Sequence, residues 1–321
     1  MKQFICTLFI LFVFVSFVTK AQVTDAEKDL RTLVPDSMLG WKKSGTFGLN
    51  FSQASFSNWA AGGQNSISIN SIFNLNLSYR TQKSVWDNLL ALGYGMQQQG
   101  KDGNPIKTDD KLEFTSKYGR AAYKNLFYAA LVNFKTQFAP GYNYPNDSVR
   151  ISDFMCPAYL TIALGMDFKK GDNLSVFLAP LTGRVTFINS QRLADAGAYG
   201  VEAATYDTLG NIITSGKKSK KEFGGYMRLF YKAEVMKNVS FQSKVDLFTN
   251  YIKHPENVDV SWEALVSMKV NKFISATLST HLIYDDDILI AVDKNNDGVI
   301  EENGPRVQFK EILAVGFSYK F

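Results

Sequence analysis

Residues 305–321, PRVQFKEILAVGFSYKF, decide how the chain is read. Phe321, Tyr319, Phe317, Val315 and Leu313 occupy one parity, and Lys320, Ser318, Gly316 and Ala314 occupy the other. A period of two places the first set on one face of a β-strand and the second on the opposite face. The segment is therefore a strand with one greasy face and one small or polar face. Glu311 shares the greasy parity; ten residues of tilted strand put it about 25 Å from the end, near the edge of an apolar band, where a charge is cheap.

Similar alternation recurs through the chain. Residues 67–79 set Ile67, Ile69, Phe73, Leu75, Leu77 and Tyr79 against Asn70, Asn74 and Asn76. Residues 239–251 set Val239, Phe241, Val245, Leu247 and Tyr251 against Gln242, Lys244, Asp246 and Asn250. Residues 258–270 set Val258, Val260, Trp262, Val266 and Met268 against Asp259, Ser261, Glu263 and Lys269. Strands are expected over 44–56, 65–81, 84–99, 107–122, 125–138, 155–169, 173–187, 219–236, 238–252, 257–270, 272–291 and 305–321, about twelve in all and an even number. The connections alternate in length. Short ones are centred on 81–83, 123–125, 170–172, 236–238 and 271–272; long ones cover 58–64, 100–106, 139–154, 188–218, 253–256 and 292–304. A two-sheet sandwich has no reason to sort its loops in this way, whereas tight turns at one end and larger loops at the other mark a membrane barrel. The fold class read from the sequence is all-β: a single transmembrane antiparallel up-and-down β-barrel over 44–321. A closing strand that ends on Phe321, with Tyr319 and Phe317 before it, resembles that of bacterial outer-membrane barrels, and the resemblance implies an assembly signal read by the barrel-assembly machinery.

The compartment is read from the other end. Lys2 is followed by an apolar run from Phe4 to Val18, broken only by Thr7 and Ser16, and then by Thr19-Lys20-Ala21. This is the pattern of a signal peptide, 1–21, too short to span a bilayer comfortably. Cys6 lies inside it, which leaves Cys156 as the sole mature cysteine and excludes an internal disulfide framework. No other segment approaches the length of a membrane helix. Residues 22–43 read as a periplasmic tail, either a short helix capped by Thr24-Asp25-Ala26-Glu27 or an extended arm. The chain has 321 residues, 45% hydrophobic and 20% charged, with 25 Phe, 15 Tyr and 4 Trp, an aromatic share that suits interfacial girdles as well as it suits a water-soluble core. Its net charge of +5 is dispersed, without a basic stripe, so nucleic acid is not an expected partner. The expected setting is the cell outer membrane, in contact with outer-membrane lipid and lipopolysaccharide, with both termini periplasmic.

Asn58-Trp59-x-x-Gly62-Gly63-Gln64, FKTQFAPGYNYPNDS (134–148), MKNVS with KVDLFTNY (236–251), and THLIYDDD with GPRVQFKE (280–287, 304–311) are similar to a Bacteroidota outer-membrane β-barrel family known only as a domain of unknown function. The resemblance covers nearly all of the mature chain. It implies fold and compartment and brings no substrate or site residues.

Candidate sites come from the polar parity. Glu113, Lys117, Lys135, Arg228, Lys232, Glu234, Lys244, Asp246, Glu263, Lys269, His281, Lys310 and Lys320 are expected to line the lumen, where mixed signs either border a water-filled pore or pair across it and close it. Asp293, Asn295 and Asp297 match the start of a calcium loop, DKNNDGVIE, but Gly304 stands where such a loop needs a bidentate Glu. A polar hairpin tip is the plain reading, and a weak calcium site, helped by Asp285, Asp286 and Asp287, is the sharper one; no other cofactor is expected. Ser279 and His281 share a face, but one pointing inward, so a lumen histidine is preferred over a nucleophile and base. Catalytic residues are not expected. The 188–218 loop is long enough either to fold into the mouth as a plug or to be plain surface. The expected function is a passive channel or small-solute transporter; a scaffolding barrel with partner- or glycan-binding loops is the alternative, and an outer-membrane hydrolase the third.

Overall fold

The computed structural model describes residues 39–55, 64–100, 103–144, 146–171, 173–271, 274–292 and 302–320. The signal peptide, most of the expected tail, the Trp59 turn, the Asp293, Asn295 and Asp297 loop and Phe321 lie outside the described residues.

Twelve strands make the wall: β1 (Gly40–Ala54), β2 (Ser66–Arg80), β3 (Ser84–Gln99), β4 (Ile106–Tyr123), β5 (Leu126–Thr136), β6 (Ala158–Lys170), β7 (Leu174–Phe187), β8 (Ser219–Met236), β9 (Val239–Asn250), β10 (Asp259–Lys269), β11 (Ile274–Tyr284) and β12 (Gln308–Lys320). Each pairs antiparallel with its neighbours in sequence, and β1 pairs with β12 to close the barrel. Closure gives every wall strand a hydrogen-bonded neighbour on both sides, the condition for crossing hydrocarbon, although β1 and β12 share only the rungs from Thr46↔Lys320 to Asn50↔Gly316. Among the described residues, no helix is long and apolar enough to cross a membrane.

The two faces separate as their chemistry requires. Phe309, Leu313, Val315, Phe317 and Tyr319 of β12 all stand exposed on the outside. So do Trp41, Phe47, Leu49 and Phe51 of β1. From Trp41 to Phe51 the exposed face of β1 climbs about 25 Å, the height of a hydrocarbon band for a strand tilted by about 40°. Trp41, Tyr79, Trp86 and Tyr118 are register partners on four successive strands, β1 to β4. Their rings form a lateral row, with Trp41 5.1 Å from Tyr79 and 5.9 Å from Trp86. Amphipathic rings at one level near the short turns make an interfacial girdle. Buried polar side chains face the other way: Glu113, Asp167 and Thr182 are among the most buried in the molecule. A wall that is apolar outside and charged inside defines a membrane-spanning β-barrel.

Some expected boundaries are corrected. The first strand begins at Gly40 rather than 44, because Lys42 and Lys43 pair with Ser78 and Leu77 as wall residues near the turn end. The eleventh strand stops at Tyr284 rather than 291: Ile288 N–H bonds to Asp285 O in a turn, and Leu289–Val292 pairs with Glu302–Pro305 in a separate ribbon. The twelfth starts at Gln308, after that ribbon. Pro180 sits inside β7, where it can donate no ladder hydrogen bond. Both neighbouring ladders slip there, Leu164↔Leu181 giving way to Met166↔Leu178, and Gly224↔Thr182 giving way to Tyr226↔Ala179. The extra residue is a β-bulge, and it reverses the parity of β7: Ser175 and Phe177 are buried on one side of it, and Thr182 and Thr186 on the other.

At the long-loop end, 137–157 and 188–218 fold together. The loop over 188–218 forms a short helix, α1 (Gln191–Asp195), and a two-stranded ribbon pairing Thr205–Tyr206 with Ile212–Thr214. Ile188, Leu193, Ala194 and Val201 pack around Cys156 in a small core of their own. Tyr199 Oη donates to the Ile151 carbonyl at 2.8 Å, and Arg192 donates to the Arg150 carbonyl. At Gly200 a Cβ would lie 2.9 Å from Asp287 Cβ, so this loop reaches the β11–β12 connection.

Candidate functional site: a charged lumen

The inward side chains meet as opposite charges. Register sets Glu113 beside Lys135, Arg228 beside Asp246, and Lys244 beside Glu263, cross-strand pairs that stabilise a sheet locally. Arg228 Nε donates to Asp246 Oδ1 at 2.6 Å, and Lys244 approaches Glu263 at 2.8 Å. These pairs are then joined across the lumen. Lys244 and Lys135 each lie 3.7 Å from Glu113, Lys135 lies 3.8 Å from Asp246, and Lys111 bridges Glu113 at 3.0 Å and Glu263 at 3.5 Å. Since β4 and β10 are six places apart in a ring of twelve, Lys111 and Glu263 span the diameter. The middle of the lumen is a lattice of ion pairs.

A second cluster lies toward the short turns. Lys117 binds Asp167 at 2.6 Å, Lys169 binds Asp87 at 3.1 Å, and Ser175 donates to Asp167 at 2.8 Å. A third lies toward the long loops, where Arg184 forks onto Glu222 at 2.7 and 2.9 Å, reaches Asp259 at 2.6 Å, and stacks 4.1 Å above the Phe248 ring. Lys220 adds contacts to Glu222 and Asp287. Lys310 reaches Asp109 at 2.9 Å. His281 Nε2 lies 3.0 Å from Ser261 Oγ. Ser279, the nucleophile of the less favoured reading, makes no hydrogen bond with the ring among the described residues. Lys232 and Lys269 are near the turn end, where their amides bond to Asn173 and Asn238 carbonyls. Glu234 is exposed in the same region.

Sequence reading missed Lys111, Asp87, Asp167, Lys169, Arg184 and Glu222. Arg184 was hidden by the bulge, because parity counted from Ser175 and Phe177 points it outward. Lys111 and Asp87 share the parity of Glu113 and of Val85 and Ala91 respectively, and a strict count along β4 and β3 finds them.

Three cavities adjoin the lattice. One of 220 Å³ extends toward the short turns past Asn76, Asp87 and Lys117, and one of 190 Å³ lies beside β1, β2, β11 and β12. The third, 440 Å³, is a vestibule beneath the long loops, lined by Tyr159, Arg184, Tyr199, Tyr226, Phe248 and Tyr284. Beyond the last residue of β11, burial and the neighbouring Asp259 push the Asp285 carboxyl up to about 6. Burial also pushes the Tyr199 phenol up to about 12. Asp287, another acid named for the calcium reading, is held by Lys220 and Lys253. Among the described residues, no group of three or more metal-ligating side chains converges.

Residues 51–142 match a family described as a protein of unknown function (DUF3078). No curated protein matches the chain. Among solved structures the chain is similar to an outer membrane channel from Pseudomonas putida F1, at 12% identity over 89% of this chain and 97% of that one, with a TM-score of 0.39. It is also similar to the translocator domain of the autotransporter NalP from Neisseria meningitidis, at 9% identity over 89% and 90%, with a TM-score of 0.35. OprB from Pseudomonas putida aligns at 8% identity over 87% and 94%, with a TM-score of 0.29.

Proposed function

We propose that the protein is an outer-membrane channel for small polar solutes, with its short turns and both chain ends periplasmic and its permeability set by the ion-pair lattice. The observation that carries this reading is the bridge from Lys111 on β4 to Glu263 on β10 across the full lumen. Members of the lattice line all three cavities, so parting them would join the vestibule to the turn end. Paired charges along the path suit small hydrated solutes, because neither sign is left to hold an ion strongly. The neck is a set of contacts that can part, not packed backbone. Single-channel recording on refolded protein in planar bilayers tests it. Wild type should give small, fluctuating steps, and Lys111→Ala with Glu263→Ala should give steps several-fold larger, since removing both partners strands neither of these two charges. A folded barrel that stays silent in both forms overturns the proposal.

The packed core of the long-loop cap supports a second reading, a scaffolding barrel that presents this cap to a partner. Co-purification of a stoichiometric partner, together with electrical silence, would favour it.

A further inference from the structure

The wall has one weak line. The ladder between β1 and β12 runs only from Thr46↔Lys320 to Asn50↔Gly316, five rungs. The other neighbouring strands share ten or more. Toward the long loops, β1 continues to Ala54 paired with β2 alone, and β12 from Gln308 to Val315 is paired with β11 alone. Continuing the register would set Phe51 against Val315, Ser52 against Ala314 and Gln53 against Leu313, and among the described residues these rungs are missing. The first missing rung, Phe51 with Val315, falls at the loop-side edge of the apolar band, where an unpaired backbone group is disfavoured. A wall built only to be tight would not leave such a gap.

What lies behind the gap is an apolar patch set among polar side chains, Asn50, Thr277, Ser279 and Lys310 among them. The 190 Å³ cavity is bounded there by Ile312 and Ala314 of β12, Ile72 of β2 and Leu265 of β10. These are inward positions on strands whose adjacent inward residues are Lys310, Asn70, Asn74 and Glu263. Elsewhere inward apolar groups are either sealed, as Leu131 and Phe177 are, or border the other two cavities, as Leu89, Phe230 and Ile283 do; none of these lies beside an open ladder. Ile312 and Ala314 on the seam strand, with Ile72 one strand and Leu265 two strands away from the seam, are half-buried and face the cavity. Gly48 makes room for one of them, because a Cβ there would lie 2.8 Å from Ile72 Cγ1. Outside the same gap, Phe51, Leu313 and Val315 form an exposed apolar rim.

We propose that the barrel has a lateral portal between β1 and β12 and that the acyl chain of a bilayer lipid enters through it to lie against Ile72, Leu265, Ile312 and Ala314. The missing rungs supply the opening and the apolar lumen patch supplies the site. A strand of a second copy added to the open edges would leave that patch uncovered. The portal requires a barrel in a bilayer and does not require conduction, so a silent channel leaves it standing and a closed seam leaves the channel reading standing.

The test uses a Cys156→Ser background with single cysteines, Ala314→Cys facing inward at the seam, Val315→Cys facing lipid, and Thr161→Cys facing inward on β6. Each is labelled with bimane and refolded into vesicles of brominated phosphatidylcholine. Labels at 314 and 315 should be quenched to a similar extent and the label at 161 should not. A label at 314 as bright as that at 161 overturns the portal, and so does a dimer that shields 314 from bromine, which would make a second copy the occupant. Oxidation gives a second measurement: Leu49→Cys with Phe317→Cys, inside the ladder, should form a disulfide in air, and Gln53→Cys with Leu313→Cys should remain reduced. Equal oxidation of the two pairs overturns the opening.

Discussion

Asp285 shows how much a single position depends on its surroundings. Its carboxyl follows the last residue of β11 and faces Asp259, whose own charge is matched by Arg184. Burial and Asp259 raise its affinity for a proton from an ordinary 3.8 to about 6, with Arg184 and Lys220 opposing the shift. The folded barrel therefore holds a proton that the unfolded chain gives up, and the stabilisation present at low pH is lost as pH rises between 3.8 and about 6. Asp285→Asn should unfold at a higher urea concentration than wild type at pH 7 and at nearly the same concentration at pH 4. Urea titrations in detergent at the two pH values check this, and an unchanged difference between them would refute it. Nothing in the run Asp285-Asp286-Asp287 announces this asymmetry. Asp287 has Lys220 and Lys253, whereas Asp285 has another acid, because the fold brings Asp259 beside it.

Among the elements, β7 controls the register of the wall. Pro180 forces a bulge, and the strands on either side accept it by keeping small residues beside it. A Cβ at Gly165 of β6 would lie 1.9 Å from the Leu178 carbonyl oxygen, a clash with backbone that no rotamer relieves. A Cβ at Gly183, on the same bulged strand, would meet nothing within 4 Å. Gly165→Ala should therefore reduce the yield of folded barrel sharply while Gly183→Ala leaves it unchanged. The mobility difference between heated and unheated samples on gels reads both, and equal yields would show that the bulge is not tightly held. The alternation of β2, β10 and β12 was legible because their ladders run without slippage, and that of β9 because its one slip, against Glu234 and Met236, falls at the turn end of the strand. On β7 it was not, since one inserted residue inverts the faces beyond it and conceals Arg184.

For the whole molecule, closure turns twelve local patterns into one lumen. Residues far apart in sequence, such as Lys111 and Glu263, become partners only because the wall curves back on itself. The cap at the long-loop end follows the same rule, since Cys156 is 1% exposed beneath residues of 188–218. Deleting 190–216 should make Cys156 react rapidly with a bulky maleimide while the gel mobility of the folded barrel persists. Slow labelling in that variant would mean that the 137–157 segment buries the thiol unaided.

Strand number, the sorting of loops by length and the assignment of most side chains to lipid or lumen were determined by the sequence alone, because a period of two and a tight turn are properties of a few consecutive residues. Whether the lumen is bridged, how far β1 and β12 zip together and which charges find each other were decided only by the tertiary structure. Those outcomes depend on strand tilt and on where the last strand meets the first, neither of which is encoded within any one strand, and on how the strands beside Pro180 take up its bulge.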